Sequence, residues 1–152
     1  MEIAILIGLQ ASGKSTFCRE HFFETHIRIN LDMLKTRHRE QLLFQACLDA
    51  KQSIVVDNTN PTVKERARYI LPACEKKFEI VGYYFPSDVS QCLKRNAKRS
   101  PDRIVPRVGI FATAKKLILP SEKEGFDRLY AVQIKSTSNS RDRLFEIQPW
   151  TQ

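Results

Sequence analysis

An α/β fold with a parallel sheet flanked by helices is what this sequence predicts, and two observations carry the expectation. Short apolar runs of β type recur at Ile3–Ile7, Ile27–Ile29, Ser53–Val56, Phe78–Phe85 and Leu129–Ile134, separated by polar-patterned segments of helical length. Strands that alternate with helices in this way are joined by crossovers, which is the βαβα rhythm of a parallel sheet. The second observation is a glycine-bounded run, Gly8 to Ser15, directly after the first strand and ahead of a segment, Thr16 to Phe23, that can be helix. With 152 residues, 42% apolar content, nine Phe and four Tyr, the chain is sized for one domain, 1–152, with a core of its own.

The later elements follow from local signals. The third strand closes on a carboxylate, Asp57, and Pro61 after Asn58, Thr59 and Asn60 reads as the first residue of a helix running through Tyr69 towards Cys74. Ser87 after Pro86 reads as the N-cap of the next helix, carrying Cys92 to Arg99. Pro106 opens a third helix that ends near Pro120, so the basic residues over about 87–118 stand on these two helices. In the tail, 136–152, Leu144–Ile147 is expected to add a strand beside Leu129–Ile134.

Composition narrows the function classes. The apolar stretch Ile3 to Leu9 is far short of the roughly 20 residues a bilayer crossing needs, and no basic region precedes it, so a soluble cytoplasmic protein without a membrane partner is expected. Cys18, Cys47, Cys74 and Cys92 form no CxxC pair and read as reduced core thiols. His21, His26 and His38 lack ligand spacing and read as structural or surface residues. The net charge of +8 is unevenly placed. Residues 1–50 carry six basic and six acidic side chains, whereas Lys94, Arg95, Lys98, Arg99, Arg103, Arg107, Lys115 and Lys116 face the single acid Asp102. Such a cluster suits a polyanion, whether a triphosphate, a nucleic acid or both; a solvated helix face is the plainer alternative.

The run Gly8-Leu9-Gln10-Ala11-Ser12-Gly13-Lys14-Ser15 fills every fixed position of GxxxxGK[ST]. Glycines let the backbone wrap so that successive N–H groups point at phosphate oxygens, and the following helix adds its positive end. Gly8, Gln10, Ala11, Ser12, Gly13, Lys14, Ser15 and Thr16 are therefore expected to cradle the phosphates of ATP or GTP. Lys14 is placed to reach the β and γ phosphates and the Ser15 hydroxyl to bind Mg²⁺. Asp57, after Ser53-Ile54-Val55-Val56, completes the metal site through a Mg²⁺-bound water or the Ser15 hydroxyl, or else caps the helix near Pro61. The reading is a Mg²⁺-dependent P-loop phosphotransferase.

The chain resembles the polynucleotide 5′-hydroxyl kinases, in particular the kinase half of the bifunctional kinase-phosphatases that repair nucleic-acid ends. The resemblance rests on Gly8 to Phe17, Ile29-Asn30-Leu31-Asp32, Val56-Asp57-Asn58-Thr59-Asn60-Pro61, Arg95-Asn96 with Arg99, Val105-Pro106 and Glu124-Gly125-Phe126, in that order. It implies that Asp32 accepts the proton of an attacking hydroxyl, that the basic helical segment over about 87–118 is a lid over the nucleotide to which Arg95 and Arg99 belong, and that the acceptor is the 5′-hydroxyl end of DNA or RNA. The residues agree: Asp32 follows the second strand, at the sheet edge where ligands bind, and Arg95 and Arg99 stand four apart on an expected helix. Leu31 replaces an arginine frequent in the family, and Lys35 stands where a phage member has another; Arg37 and Arg39 follow and can compensate. No DxDxT phosphatase motif is present, so kinase activity without end-phosphatase activity is expected. A kinase of a small alcohol or sugar nucleotide is the alternative, since related P-loop folds use the same cradle and base.

Overall fold

The computed structural model describes residues 1–135 and 144–151. Its six-stranded sheet comprises β1 (Glu2–Ile7), β2 (Ile27–Ile29), β3 (Ile54–Val56), β4 (Glu79–Tyr84), β5 (Arg128–Lys135) and β6 (Leu144–Pro149), in the order β2-β3-β1-β4-β5-β6. The first five strands are parallel; β6 returns antiparallel to β5, with Val132 opposite Ile147. The part of the expected tail at 136–143 lies outside the described residues. Strand order reverses at β1, so the loop after it opens into the crevice where parallel sheets bind ligands.

Both faces of β1 are covered, which explains why Ile3 to Ile7 read as one apolar run rather than an alternating one. Ile3, Ile5 and Ile7 join Phe44, Leu48, Tyr69 and Ile70 on one face, whereas Ala4 and Leu6 meet Phe17, Cys18 and Phe22 on the other. The helices that supply these side chains are α1 (Lys14–His21), α3 (Arg37–Asp49) and α4 (Val63–Glu75). Between β2 and α3 stands a single turn, α2 (Leu31–Leu34). Cys18, Cys47 and Cys92 are buried free thiols, as expected, but Cys74 is exposed on the outer side of α4.

Four helix boundaries differ from the sequence expectation. Pro61 is not the first residue of α4: Thr62 is the N-cap, in a capping box in which its hydroxyl accepts from Glu65 N while Glu65 reaches back to Thr62 N. Ser87 gives way to Asp88, whose carboxylate accepts from Gln91 N at 2.7 Å and starts α5 (Val89–Ala97). α5 stops at Ala97, so Arg99 lies beyond it and does not share a helical face with Arg95. The chain turns because the Asn96 side chain brackets Val105, donating to its carbonyl (2.7 Å) and accepting from its N–H (3.0 Å). α6 (Arg107–Lys116) then ends four residues short of Pro120.

The segment after α6 is fastened by a buried ion pair. Arg66, fully buried, donates to both Glu124 oxygens (2.6 and 2.8 Å) and to the Asn60 and Ile118 carbonyls. Glu124, one of the residues carrying the resemblance, thus ties α4 to the chain returning from α6. Truncating one partner of a buried pair typically costs about 3–5 kcal/mol. Arg66→Ala is therefore expected to lower the melting temperature by roughly 6–20 °C, at about 2–4 °C per kcal/mol for this chain length, in a calorimetric melt. Arg66→Met with Glu124→Leu should recover most of that loss.

Candidate active site

Four loops converge at the carboxyl edge of the sheet. The loop after β1 carries Gly8 to Gly13 in the conformation its glycines demand. Gly13 has φ 99°, and a Cβ there would lie 2.9 Å from Ile134 Cδ1; at Gly8 a Cβ would press within 3.0 Å of Phe85 Cβ. Ala11 also adopts a left-handed φ of 59°, a strained choice for a non-glycine residue. The loop leads straight into the N-terminus of α1, so its backbone amides and the helix dipole point the same way.

Lys14 is buried with its ammonium folded into the loop, donating to the Gly8 and Leu9 carbonyls (2.9 and 2.5 Å) and to Ser12 Oγ (3.3 Å). Among the described residues no carboxylate makes a salt bridge with it. Burial pushes its pKa down to about 8, against the attraction of Asp57 and with help from the charge of Arg99. A desolvated cation held by neutral carbonyls is an anion site, and a triphosphate fits it. Beside it, Ser15 Oγ donates to Asp57 Oδ2 at 2.9 Å. A hydroxyl and a carboxylate so placed are the hard oxygen donors that Mg²⁺ takes. The capping alternative for Asp57 does not apply, because Thr62 caps α4.

Arg28 is a partner that sequence reasoning missed. It donates through two nitrogens to Asp57 Oδ2, at 2.6 and 2.9 Å, and so fixes the carboxylate from the β2 side. The signal was the charged residue centred in the strand Ile27-Arg28-Ile29.

Asp57 to Asn60 work as a bracket between the phosphate loop and α2. Asn58 Oδ1 accepts from Leu31 N, while its amide nitrogen donates to Glu40 Oε2 and the Tyr69 hydroxyl. Thr59 O accepts from Gly8 N, and Asn60 Nδ2 donates to Leu6 O. From the other side Asn30 caps α2 through Met33 N and donates to the Asp57 carbonyl. Asp32, exposed on the first turn of α2, is thereby held in register with Asp57 and Ser15. Glu40 is buried and accepts from Tyr69 OH (2.9 Å) and Arg37 NH1 (2.8 Å); with the Tyr69 phenol pushed up to about 12 by burial and then by Glu40, that hydroxyl stays a donor. Since an acceptor at Glu40 fixes which way the Asn58 amide faces, Glu40 and Tyr69 set the position of α2. Neither stands out in the sequence.

The basic segment meets the phosphate loop at two points. Arg95 NH1 donates to the Ala11 carbonyl at 2.8 Å, and Gln10 Nε2 donates to Thr113 Oγ1 at 2.9 Å. Arg99 donates to the Arg103 carbonyl and lies close enough to depress the proton affinity of Lys14. A cavity of about 580 Å³ opens beside Ser12, with Pro86, Asp88, Gln91, Arg95 and Gln133 among its walls. Among the described residues no group of three or more His, Cys, Asp or Glu is placed to hold a metal by itself, and no helix is long and apolar enough to cross a membrane.

Comparison with known proteins bears on the family and the fold. A bifunctional polynucleotide phosphatase/kinase of Schizosaccharomyces pombe is 28% identical over 145 residues, covering 93% of this chain and 36% of its own. The chain spans about a third of the length of the curated relatives it matches. Among solved structures, Chaetomium thermophilum Kti12 in complex with ADP-AlF3 superposes with a TM-score of 0.69 at 14% identity, covering 86% of this chain and 88% of its own. A gluconokinase from Sinorhizobium meliloti 1021 gives 0.58 at 16% identity, with 87% and 82% covered. These two share the fold. Residues 3–116 match the family described as AAA domain, AAA_33. The chain belongs to that family and has the fold of a P-loop kinase.

Proposed function

We propose that this chain transfers the γ-phosphoryl group of ATP or GTP to the 5′-hydroxyl end of a DNA or RNA strand. The observation that carries the reading is the register of Asp32 with the phosphate loop, through Asn30 and Asn58 on one side and Thr59 on the other. A module that only binds nucleotide has no use for a carboxylate on a turn held in that place. The name of the Schizosaccharomyces pombe relative supports a polynucleotide as acceptor.

In this reading the loop amides and Lys14 hold the phosphates, and the 580 Å³ cavity beside Ser12 seats the nucleoside. Ser15 and Asp57 hold Mg²⁺, which when bound neutralises charge on the phosphate oxygens. The acceptor hydroxyl loses its proton to Asp32 as its oxygen bonds to the γ phosphorus. The bond from that phosphorus to the bridging oxygen breaks, and the nucleoside diphosphate leaves with the electron pair. Arg95 and Arg99, on the lid, stabilise the charge on the transferring group.

Leu31 and Lys35, in place of two arginines, remove two forks suited to strand phosphates, and this favours a small alcohol or sugar nucleotide as the second reading. Oligonucleotide-stimulated ATP consumption separates the two. Stimulation by 5′-hydroxyl strands supports the first, and stimulation by small hydroxyl compounds alone replaces it with the second.

The buried Lys14 gives nucleotide binding a pH dependence. Its folded-state pKa of about 8 means that the ammonium is present below pH 8 and lost as the pH rises through it. A bound triphosphate favours the charged form, so affinity should be nearly flat below pH 7.5 and fall by up to about tenfold per unit above pH 8. Calorimetric titration of a nucleoside triphosphate between pH 7 and 9.5 measures this; the limb should be missing in Lys14→Ala.

A further inference from the structure

The outer face of α6 combines exposed apolar side chains with basic ones. Its inner side is accounted for: Ile110 packs with Leu9 and Cys92, and Thr113 accepts from Gln10. On the outer side Val108 is 76% and Phe111 49% exposed. Arg107, Phe111 and Lys115 follow at i, i+4 and i+8, so they form one stripe along the helix, with Val108 beside it. Ile104 upstream and Ile118 and Leu119 downstream are exposed as well. Five of the thirteen large apolar side chains exposed among the described residues thus fall between Ile104 and Leu119, in a segment that carries Arg107, Lys115 and Lys116 and no acid after Asp102.

A solvated helix face explains the charge but not the apolar side chains, and a docked apolar protein surface explains the apolar side chains but not the uncompensated charge. A single-stranded nucleic acid offers both complements, bases with apolar faces and phosphates spaced between them. Neighbouring members of the stripe are about 5–6 Å apart, so an aromatic ring stands between two cations.

We propose that the outer face of α6 is a stacking platform for a single strand: Phe111 takes a base face, Val108 extends the apolar floor, and Arg107 and Lys115 take the flanking phosphates. The inference rests on the reading that the acceptor is a nucleic acid, and it specifies the form of that acceptor. Paired bases in a duplex keep their faces inside the stack, so the platform selects single strands or overhangs over blunt ends.

The test is equilibrium binding, by fluorescence anisotropy, of a labelled 5′-hydroxyl single strand and of a blunt duplex of the same sequence. Phe111→Ala should weaken single-strand binding by about 5- to 150-fold, leave duplex binding unchanged, and leave the salt slope of single-strand binding unchanged. Phe111→Trp should restore the affinity. Arg107→Ala with Lys115→Ala should lower the slope of log affinity against log salt by about 1.4, at about 0.7 per phosphate contact. Because all three side chains face outward, thermal melts of the variants should match the parent. Single-strand affinity in Phe111→Ala equal to the parent's overturns the platform. Phosphate transfer by the parent is scored separately. Phe111-dependent binding without transfer to any 5′-hydroxyl end keeps the platform and removes the proposed acceptor chemistry, whereas transfer with Phe111-independent binding does the reverse.

Discussion

Lys14→Ala is expected to abolish phosphoryl transfer in a protein that still folds. The ammonium is the buried positive charge inside the loop, and its three partners are neutral oxygens of the loop itself. Preorganised charge aimed at a transferring group is worth about a hundred- to thousandfold per donor, and here the same group also secures the bound phosphates. Burial of an ammonium that makes no salt bridge among the described residues opposes folding, so removing it should leave the melting temperature unchanged or higher. Ser15→Ala should fail as completely, because it removes a Mg²⁺ ligand together with the hydroxyl that donates to Asp57. Single-turnover transfer from labelled ATP measures both variants. Near-normal turnover by folded Lys14→Ala would sink the assignment of the loop.

Asp32→Asn is expected to lower turnover by about a hundredfold or more while leaving ATP affinity close to that of the parent. The amide keeps the shape of the carboxylate, and the contacts that fix α2 go through Asn30 and Asn58, not through the Asp32 side chain. What is lost is the ability to accept a proton. Measured together, kcat and the ATP dissociation constant separate two roles. A fall in kcat alone fits the proton acceptor, whereas a collapse of ATP affinity would move Asp32 into the metal site and exchange its role with Asp57.

Much of this architecture was legible in the chain because its signals are local. The apolar run of β1 and the glycine spacing after it dictate a strand and a phosphate loop in succession. Asp57 could be placed near Ser15 from the apolar strand it closes, and the contact between them is in the structure. Legibility ended where a residue's position depends on a partner far along the chain. Arg28 to Asp57, Tyr69 to Glu40 and Arg66 to Glu124 span 29, 29 and 58 residues. No periodicity or cap reports such pairs. The helix boundaries differ for another reason: Pro61 and Ser87 carry start signals, but the neighbouring Thr62 and Asp88 hold the better capping geometry, and the end of α5 is set by Asn96 reaching across to Val105. Arg95 and Arg99, expected on one helical face, approach the phosphate loop from a helix and from the turn that follows it.

The kinase reading and its acceptor meet in one measurement: transfer of labelled γ-phosphate from ATP and from GTP to short 5′-hydroxyl DNA and RNA strands, beside a panel of small alcohols, with Lys14→Ala and Asp32→Asn as controls. Label is expected at the 5′ end of the strands, lost in Lys14→Ala and reduced about a hundredfold in Asp32→Asn. Label on a small alcohol with none on any strand would contradict the proposed acceptor.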